Sequence, residues 1–206
     1  MRARVVRALL LVGLGAWLVA VIVIAISRGA DGRPRLGAFA STPDLILHGH
    51  LWTLLTSAIP VGRYPTAEIV GLLIALYGVW RVSGIVAIWV TGLTAHIGCT
   101  LVVYAGIALL WLADRSAADP YTDRLDYGIS AVWLGALGYL TAVLWPRNRA
   151  VALGVGIGTL IVSVALLPVV GSMATAEHLV ALGIGVLVPM TIRGVVRRAQ
   201  FRTPSS

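Results

Sequence analysis

Residues 82–113 read VSGIVAIWVTGLTAHIGCTLVVYAGIALLWLA, thirty-two positions without a single charge. As one α-helix such a stretch would span ~48 Å, whereas the hydrocarbon core of a bilayer is ~30 Å thick. The expectation is a membrane-crossing helix at about 82–106 that tilts strongly or breaks near Gly98 or Gly106.

Five more apolar segments lie on either side of it, at about 8–27, 66–80, 127–145, 150–169 and 173–192. Composition agrees: of 206 residues 59% are hydrophobic and 12% charged, and the mean hydropathy is +0.94. Soluble domains carry about twice that charge. At ~20 residues per span the chain has room for about six or seven spans and no sizeable soluble domain. The fold expected is an all-α membrane bundle of six spans, forming one domain over 1–206. The first segment follows Arg2, Arg4 and Arg7, as a signal peptide would. Its apolar run of 20 residues exceeds the ~7–15 of a signal core, so it reads as a retained anchor.

Alternate loops sort the charges. One side holds Arg2, Arg4, Arg7, Arg81, Arg147, Arg149, Arg193, Arg197, Arg198 and Arg202, and no acid. The other holds Arg28, Arg33, Arg35, Arg63, Arg115 and Arg124, together with all eight acids: Asp31, Asp44, Glu68, Asp114, Asp119, Asp123, Asp126 and Glu177. The positive-inside rule then places both termini in the cytoplasm of a bacterial-type plasma membrane. The net charge of +8 lies at membrane flanks, which argues against a nucleic-acid partner. The 28–65 loop contains LILHGHLWTLLTSAI, which is too short for a span and reads as interfacial or re-entrant. The 114–124 loop reads as solvated.

Polar groups inside apolar spans face the bundle interior. Four stand out: His96, Ser130, His178 and Thr66. Counted along the chain from Arg81, Arg147 or Arg193, each lies ~22–26 Å above the cytoplasmic boundary. Small residues accompany two of them. Gly128, Ala131, Gly135 and Gly138 surround Ser130, and Ala181, Gly183 and Gly185 follow His178. Ser130, Leu134 and Gly138 share one helix face, as do His178, Ala181 and Gly185. Such faces permit close helix approach, and a serine–imidazole hydrogen bond needs it.

Gly128-Ile129-Ser130 at the start of the fourth span, with His178 near the outer end of the sixth, resembles the rhomboid family of intramembrane serine proteases. Gly138-Tyr139 below the serine and LWTLLTSAI in the long loop are similar to family features, with Thr53 where the family has Arg. The resemblance covers roughly 8–192. It implies Ser130 as nucleophile and His178 as general base, transmembrane segments of other proteins as substrates or clients, and the lipid bilayer as setting. An inactive relative that binds membrane helices is the alternative. Ala131 replaces the second glycine of the Gly-x-Ser-Gly motif, Ala181 a glycine after the histidine, and Leu134 an aromatic. The family's oxyanion-stabilising His and Asn have no counterpart here except Thr66 and Glu68, which leaves Thr66 and His96 as second-shell or oxyanion candidates. Thr66 reads first as a helix cap.

No cofactor or metal is expected. The lone Cys99 excludes an internal disulfide and a Cys-based zinc site. His48-Gly49-His50 has no carboxylate or Cys at ligand spacing and reads as a pair of interfacial histidines. Glu177, about 100° round the helix from His178, is expected to snorkel outward.

Overall fold

The computed structural model describes residues 2–27, 38–62, 64–165 and 167–200. They form helices only: α1 (Arg2–Ile26), α2 (Pro43–Leu47), α3 (Thr53–Thr56), α4 (Pro65–Ser83), α5 (Ile85–Ala113), α6 (Arg115–Thr122), α7 (Ser130–Leu144), α8 (Arg149–Ala165), α9 (Leu167–Val170) and α10 (Ser172–Gln200). Among the described residues the one β-type pairing is an isolated antiparallel bridge between Ser41 and Asp126.

Among the described residues four helical stretches are long and apolar enough to cross a membrane: Arg4–Ile26, Pro65–Ser83, Ile85–Ala113 and Ser172–Thr191. The apolar helices α7 and α8, of 15 and 17 residues, fall short of the ~20 a perpendicular crossing needs. The α7 segment is shorter than 127–145 because its leading residues do other work. Asp126 exchanges both backbone hydrogen bonds with Ser41, and the Gly128 N–H donates to the Ser57 carbonyl at 2.9 Å. Gly128 does this at φ +138, a conformation that only glycine adopts without strain. It is therefore a turn residue that docks backbone, not a helix-packing residue as expected.

Helix α5 runs unbroken for 29 residues, so neither Gly98 nor Gly106 interrupts it. An isolated glycine costs a helix only ~1 kcal/mol, and Gly98 faces the Ile184 side chain of α10. The chain enters α5 through Gly84, at φ +80, whose N–H caps α4 on the Trp80 carbonyl. The 114–124 segment is likewise structured. Asp114 caps α6 through Ala117 N–H, and Ala118 is fully buried.

The core lies among α4, α5, α7 and α10. The closest approach is α7 against α10. A Cβ on Gly138 would meet the Leu182 carbonyl and the Val186 nitrogen, and one on Gly185 would meet the Gly135 carbonyl. Backbone thus touches backbone. Helix α1 is peripheral, with Val21 and Ala25 as its buried contacts and the Trp89 indole N–H donating to the Leu10 carbonyl at 3.0 Å. The side chains of Arg2, Arg28, Asp31, Arg33, Arg35, Arg63, Arg193, Arg197, Arg198 and Arg202, which carry part of the charge sorting, lie outside the described residues.

Candidate functional site

One face of α5 carries His96, Thr100 and Tyr104 at i, i+4 and i+8, all buried. Each finds a partner from a connecting segment. His96 Nε2 lies 3.1 Å from Ser57 Oγ. The Thr100 and Tyr104 hydroxyls both donate to Asp126 Oδ2, at 3.3 and 3.2 Å. Asp126 is held in place by its backbone bridge to Ser41, with both bonds 2.8 Å long. Below it the Thr53 hydroxyl closes its turn on the His50 carbonyl at 2.7 Å. The α2–α3 segment therefore folds onto the bundle through Ser41, Thr53 and Ser57, all fully or nearly fully buried. Its apolar residues Leu47, Leu51, Trp52 and Leu55 stay exposed.

Glu177 does not snorkel outward. It is 7% exposed, its Oε1 has no hydrogen-bond partner, and its carboxyl faces that of Asp126 with the Arg124 guanidinium in electrostatic range. The turn of α10 that carries it is packed against α5 and α7, so the outward direction was never open to it.

Ser130 begins α7, half-buried, with Oγ 3.4 Å from where a Cβ on Gly128 would stand. His178 is 8% exposed on α10. Leu134, one turn below Ser130, and Ala181, one turn below His178, belong to one apolar cluster with Ala95, Cys99 and Ala131. Gly135 faces Ala95 and the Ala181 carbonyl, which sets a common level for three helices. From that level Ser130 lies five residues away, roughly 8 Å, and His178 three residues away, roughly 5 Å. The two side chains share a stratum of the bundle, and no hydrogen bond joins them. His96, adjacent to Ala95, lies deeper. Counting from Arg81 overstated its height, because the chain reverses at Gly84 and the rise along α5 begins at Ile85.

Thr66 is exposed in the first turn of α4, and the N-cap there is Tyr64; it neither caps the helix nor makes a side-chain hydrogen bond. Contrary to expectation a carboxylate does accompany His48: Asp44, one helical turn earlier, meets its Nδ1 on the surface through its carbonyl at 2.9 Å and its Oδ1 at 3.3 Å. His50 packs edge-on against Trp52 with ring centroids 4.7 Å apart. Among the described residues no three His, Cys, Asp or Glu side chains gather as a metal site would need. Cys99 is buried, its thiol donating to the His96 carbonyl at 3.2 Å.

Sequence reasoning missed Ser57, Asp126, Thr100 and Tyr104. The i, i+4, i+8 spacing of His96, Thr100 and Tyr104 was a usable signal: a polar stripe on an otherwise apolar helix. Nothing in the chain order marked Ser57 or Asp126, since each reaches α5 through tertiary folding of a loop. No protein-family model, no curated protein and no solved structure matches this chain.

Proposed function

We propose that the chain is a six-span intramembrane serine hydrolase of rhomboid-like design, with α7 and α8 as the two additional spans and both termini in the cytoplasm of a bacterial-type plasma membrane. Ser130 Oγ attacks a peptide carbonyl of a substrate's membrane helix, and His178 takes the hydroxyl proton and returns it to the leaving amine. Water then releases the acyl group from Ser130.

The observation that carries this reading is the backbone contact of α7 with α10 at Gly138 and Gly185. It brings α7 and α10 together one to two turns below Ser130 and His178, which supports their reading as a pair. A membrane crossing, though not its direction, is supported by Trp–Arg pairs on opposite sides of the charge sorting. Arg115 stacks over Trp111 at 5.0 Å and Arg149 over Trp145 at 5.8 Å, the pattern of interfacial anchors.

A second reading, a helix-binding protein without hydrolytic activity, has its own support. The serine–imidazole pair that is hydrogen-bonded is Ser57–His96, while no hydrogen bond joins Ser130 to His178. The deciding experiment is reaction of the purified protein with a serine-directed fluorophosphonate. The hydrolase labels at Ser130, and both Ser130→Ala and His178→Ala abolish labelling and cleavage of a model membrane helix. A folded protein that labels nowhere overturns the hydrolase reading.

A further inference from the structure

The connection from α6 to α7 runs beside the first two turns of α10. The Tyr121 and Ser172 hydroxyls are 3.2 Å apart. The Arg124 guanidinium stands against Gly171, where a Cβ would meet its Nη2 at 2.6 Å. Farther along, Asp126 and Glu177 meet carboxyl to carboxyl within hydrogen-bond contact. Both are more than nine-tenths buried, at 8% and 7% exposure.

The hydrogen-bond inventory of this pair is one donor short. Asp126 Oδ2 takes the two hydroxyls that α5 offers, from Thr100 and Tyr104. Glu177 Oε1 is sealed from solvent and receives none. Ionised carboxylates only accept, so a contact between two of them has no proton to hold it. Charge gives the same count. Arg124 brings one positive charge into range of the pair, and two carboxylates would leave one negative charge over in the bundle interior, where uncompensated charge is costly. The neighbours do not make up the difference. Tyr104 and Cys99, which face the pair from α5, carry no positive charge in either of their states. His96, farther along α5, turns its Nε2 to Ser57. His178 lies about 100° round α10 from Glu177. Ser41, bridged to Asp126 from the loop before α2, does not titrate. A metal cation would have to sit between carboxyls that already touch. The ligand that fits is a proton.

We propose that Asp126 and Glu177 form a proton-binding site that holds one proton between the two carboxyls at neutral pH. Asp126, already accepting two hydroxyls, is the carboxylate, and Glu177 is the acid that donates to it. Arg124 then balances the one remaining negative charge. Loss of the proton sets two like charges in contact and pushes the first turns of α10 away from Asp126, the residue whose backbone holds Ser41. The closure over the outer half of the bundle therefore loosens as pH rises. None of this depends on hydrolysis by Ser130.

The test is infrared spectroscopy of the full chain in dodecyl maltoside, which has no ester carbonyl to mask the C=O stretch of a protonated carboxylic acid. At neutral pH one such acid per chain is expected. Glutamate labelled with carbon-13 at its side-chain carboxyl shifts the band, and Glu177→Gln removes it. Glu68, the one other glutamate of the chain, is excluded by Glu68→Gln, which keeps the band; label and Glu68→Gln together decide if Glu177→Gln does not fold. In micelle unfolding across the neutral range, the unfolding constant of the parent rises with pH by tenfold more per unit than that of Glu177→Gln, the slope of one proton released on unfolding. Ser130→Ala keeps the band while losing phosphonate labelling, which separates this proposal from the hydrolase reading. The proposal is overturned by a parent without an acid band at neutral pH, or by a band that ignores the glutamate label. It is equally overturned by a band that disappears when sodium chloride replaces choline chloride at the same pH, which would make the pair a metal-cation site.

Discussion

Gly138→Ala adds one methyl group at the tightest point of the bundle. Its Cβ would stand against the Leu182 carbonyl oxygen, 3.0 Å from the Leu182 carbonyl carbon and 3.1 Å from the Val186 nitrogen. Comfortable carbon contacts begin at ~3.5–4.0 Å. All three obstacles are α10 backbone, so no side chain can rotate away, and the helices must part by something on the order of 1 Å. Overpacking of this kind costs ~1–3 kcal/mol. Gly183→Ala is the internal control: a Cβ there meets nothing within 4 Å, and the better helix former stabilises by up to about 1 kcal/mol. The two variants should differ by about 1–4 kcal/mol. Gly185→Ala strikes the same seam through the Gly135 carbonyl. The double variant with Gly138→Ala should therefore lose less than the sum, because helices already parted are not parted twice. Unfolding in mixed micelles of rising dodecyl sulfate fraction, followed by far-UV circular dichroism, measures each. Gly138→Ala and Gly183→Ala unfolding within about 0.5 kcal/mol of each other, the spread of neutral surface changes, would refute the packing argument.

Three other outcomes can be checked directly. Ser57→Ala removes the hydroxyl that stands 3.1 Å from the buried His96 Nε2 and should destabilise the fold by ~1–3 kcal/mol in the same micelle assay; a neutral result removes Ser57 from the structural account. In a Cys99→Ser background, an impermeant maleimide applied outside cells should label Cys at position 117 but not at 205, and labelling at 205 would reverse the proposed orientation. Asp114 Oδ1 accepts from the Ser116 hydroxyl at 2.7 Å and the Ala117 N–H at 3.2 Å, which holds its carboxyl below its ordinary value. A lowered folded-state pKa means the cap is complete above the usual aspartate range and is lost as pH falls through the lowered value. The Ala117 amide resonance should titrate with a midpoint below ~3.9, and a midpoint at or above that figure contradicts the cap.

What could be read from the chain was what one dimension records. The charge-free run over 82–113 announces a long apolar helix, because the absence of charge needs no knowledge of neighbours. Its continuity was misjudged at Gly98 and Gly106, since a glycine in a helix can serve packing as readily as a break. His96 was visible as an imidazole among apolar residues. Its partner Ser57 was not, because the 38–62 segment reaches α5 by folding back. Glu177 was misread for a related reason: a helical wheel gives the angle between two side chains but not which neighbour closes which side. The small-residue positions 135, 138 and 185 were informative because only small residues let helix backbones touch.

The distribution of side chains along α7 and α10 divides the bundle into two strata with different physics. Where Gly135, Gly138 and Gly185 bring backbone to backbone, there is no volume for water, and the interface is sealed by shape alone. Above that level Ser130, His178, Glu177, Asp126, Thr100 and Tyr104 gather, and the segment from Ser41 to Ser57 closes over part of them. Four hydrogen bonds hold that closure at its ends: the two between Ser41 and Asp126, the one from Gly128 to Ser57, and the one between Ser57 and His96. Each is worth ~0.5–1.5 kcal/mol net. An open state requires all four to part. On the hydrolytic reading, His178 needs that open state, since it is buried and hydrolysis consumes water. The same bonds that complete the fold would then set how often the site is wet, and Ser57 joins the two by bonding α5 through its hydroxyl and the turn before Ser130 through its carbonyl.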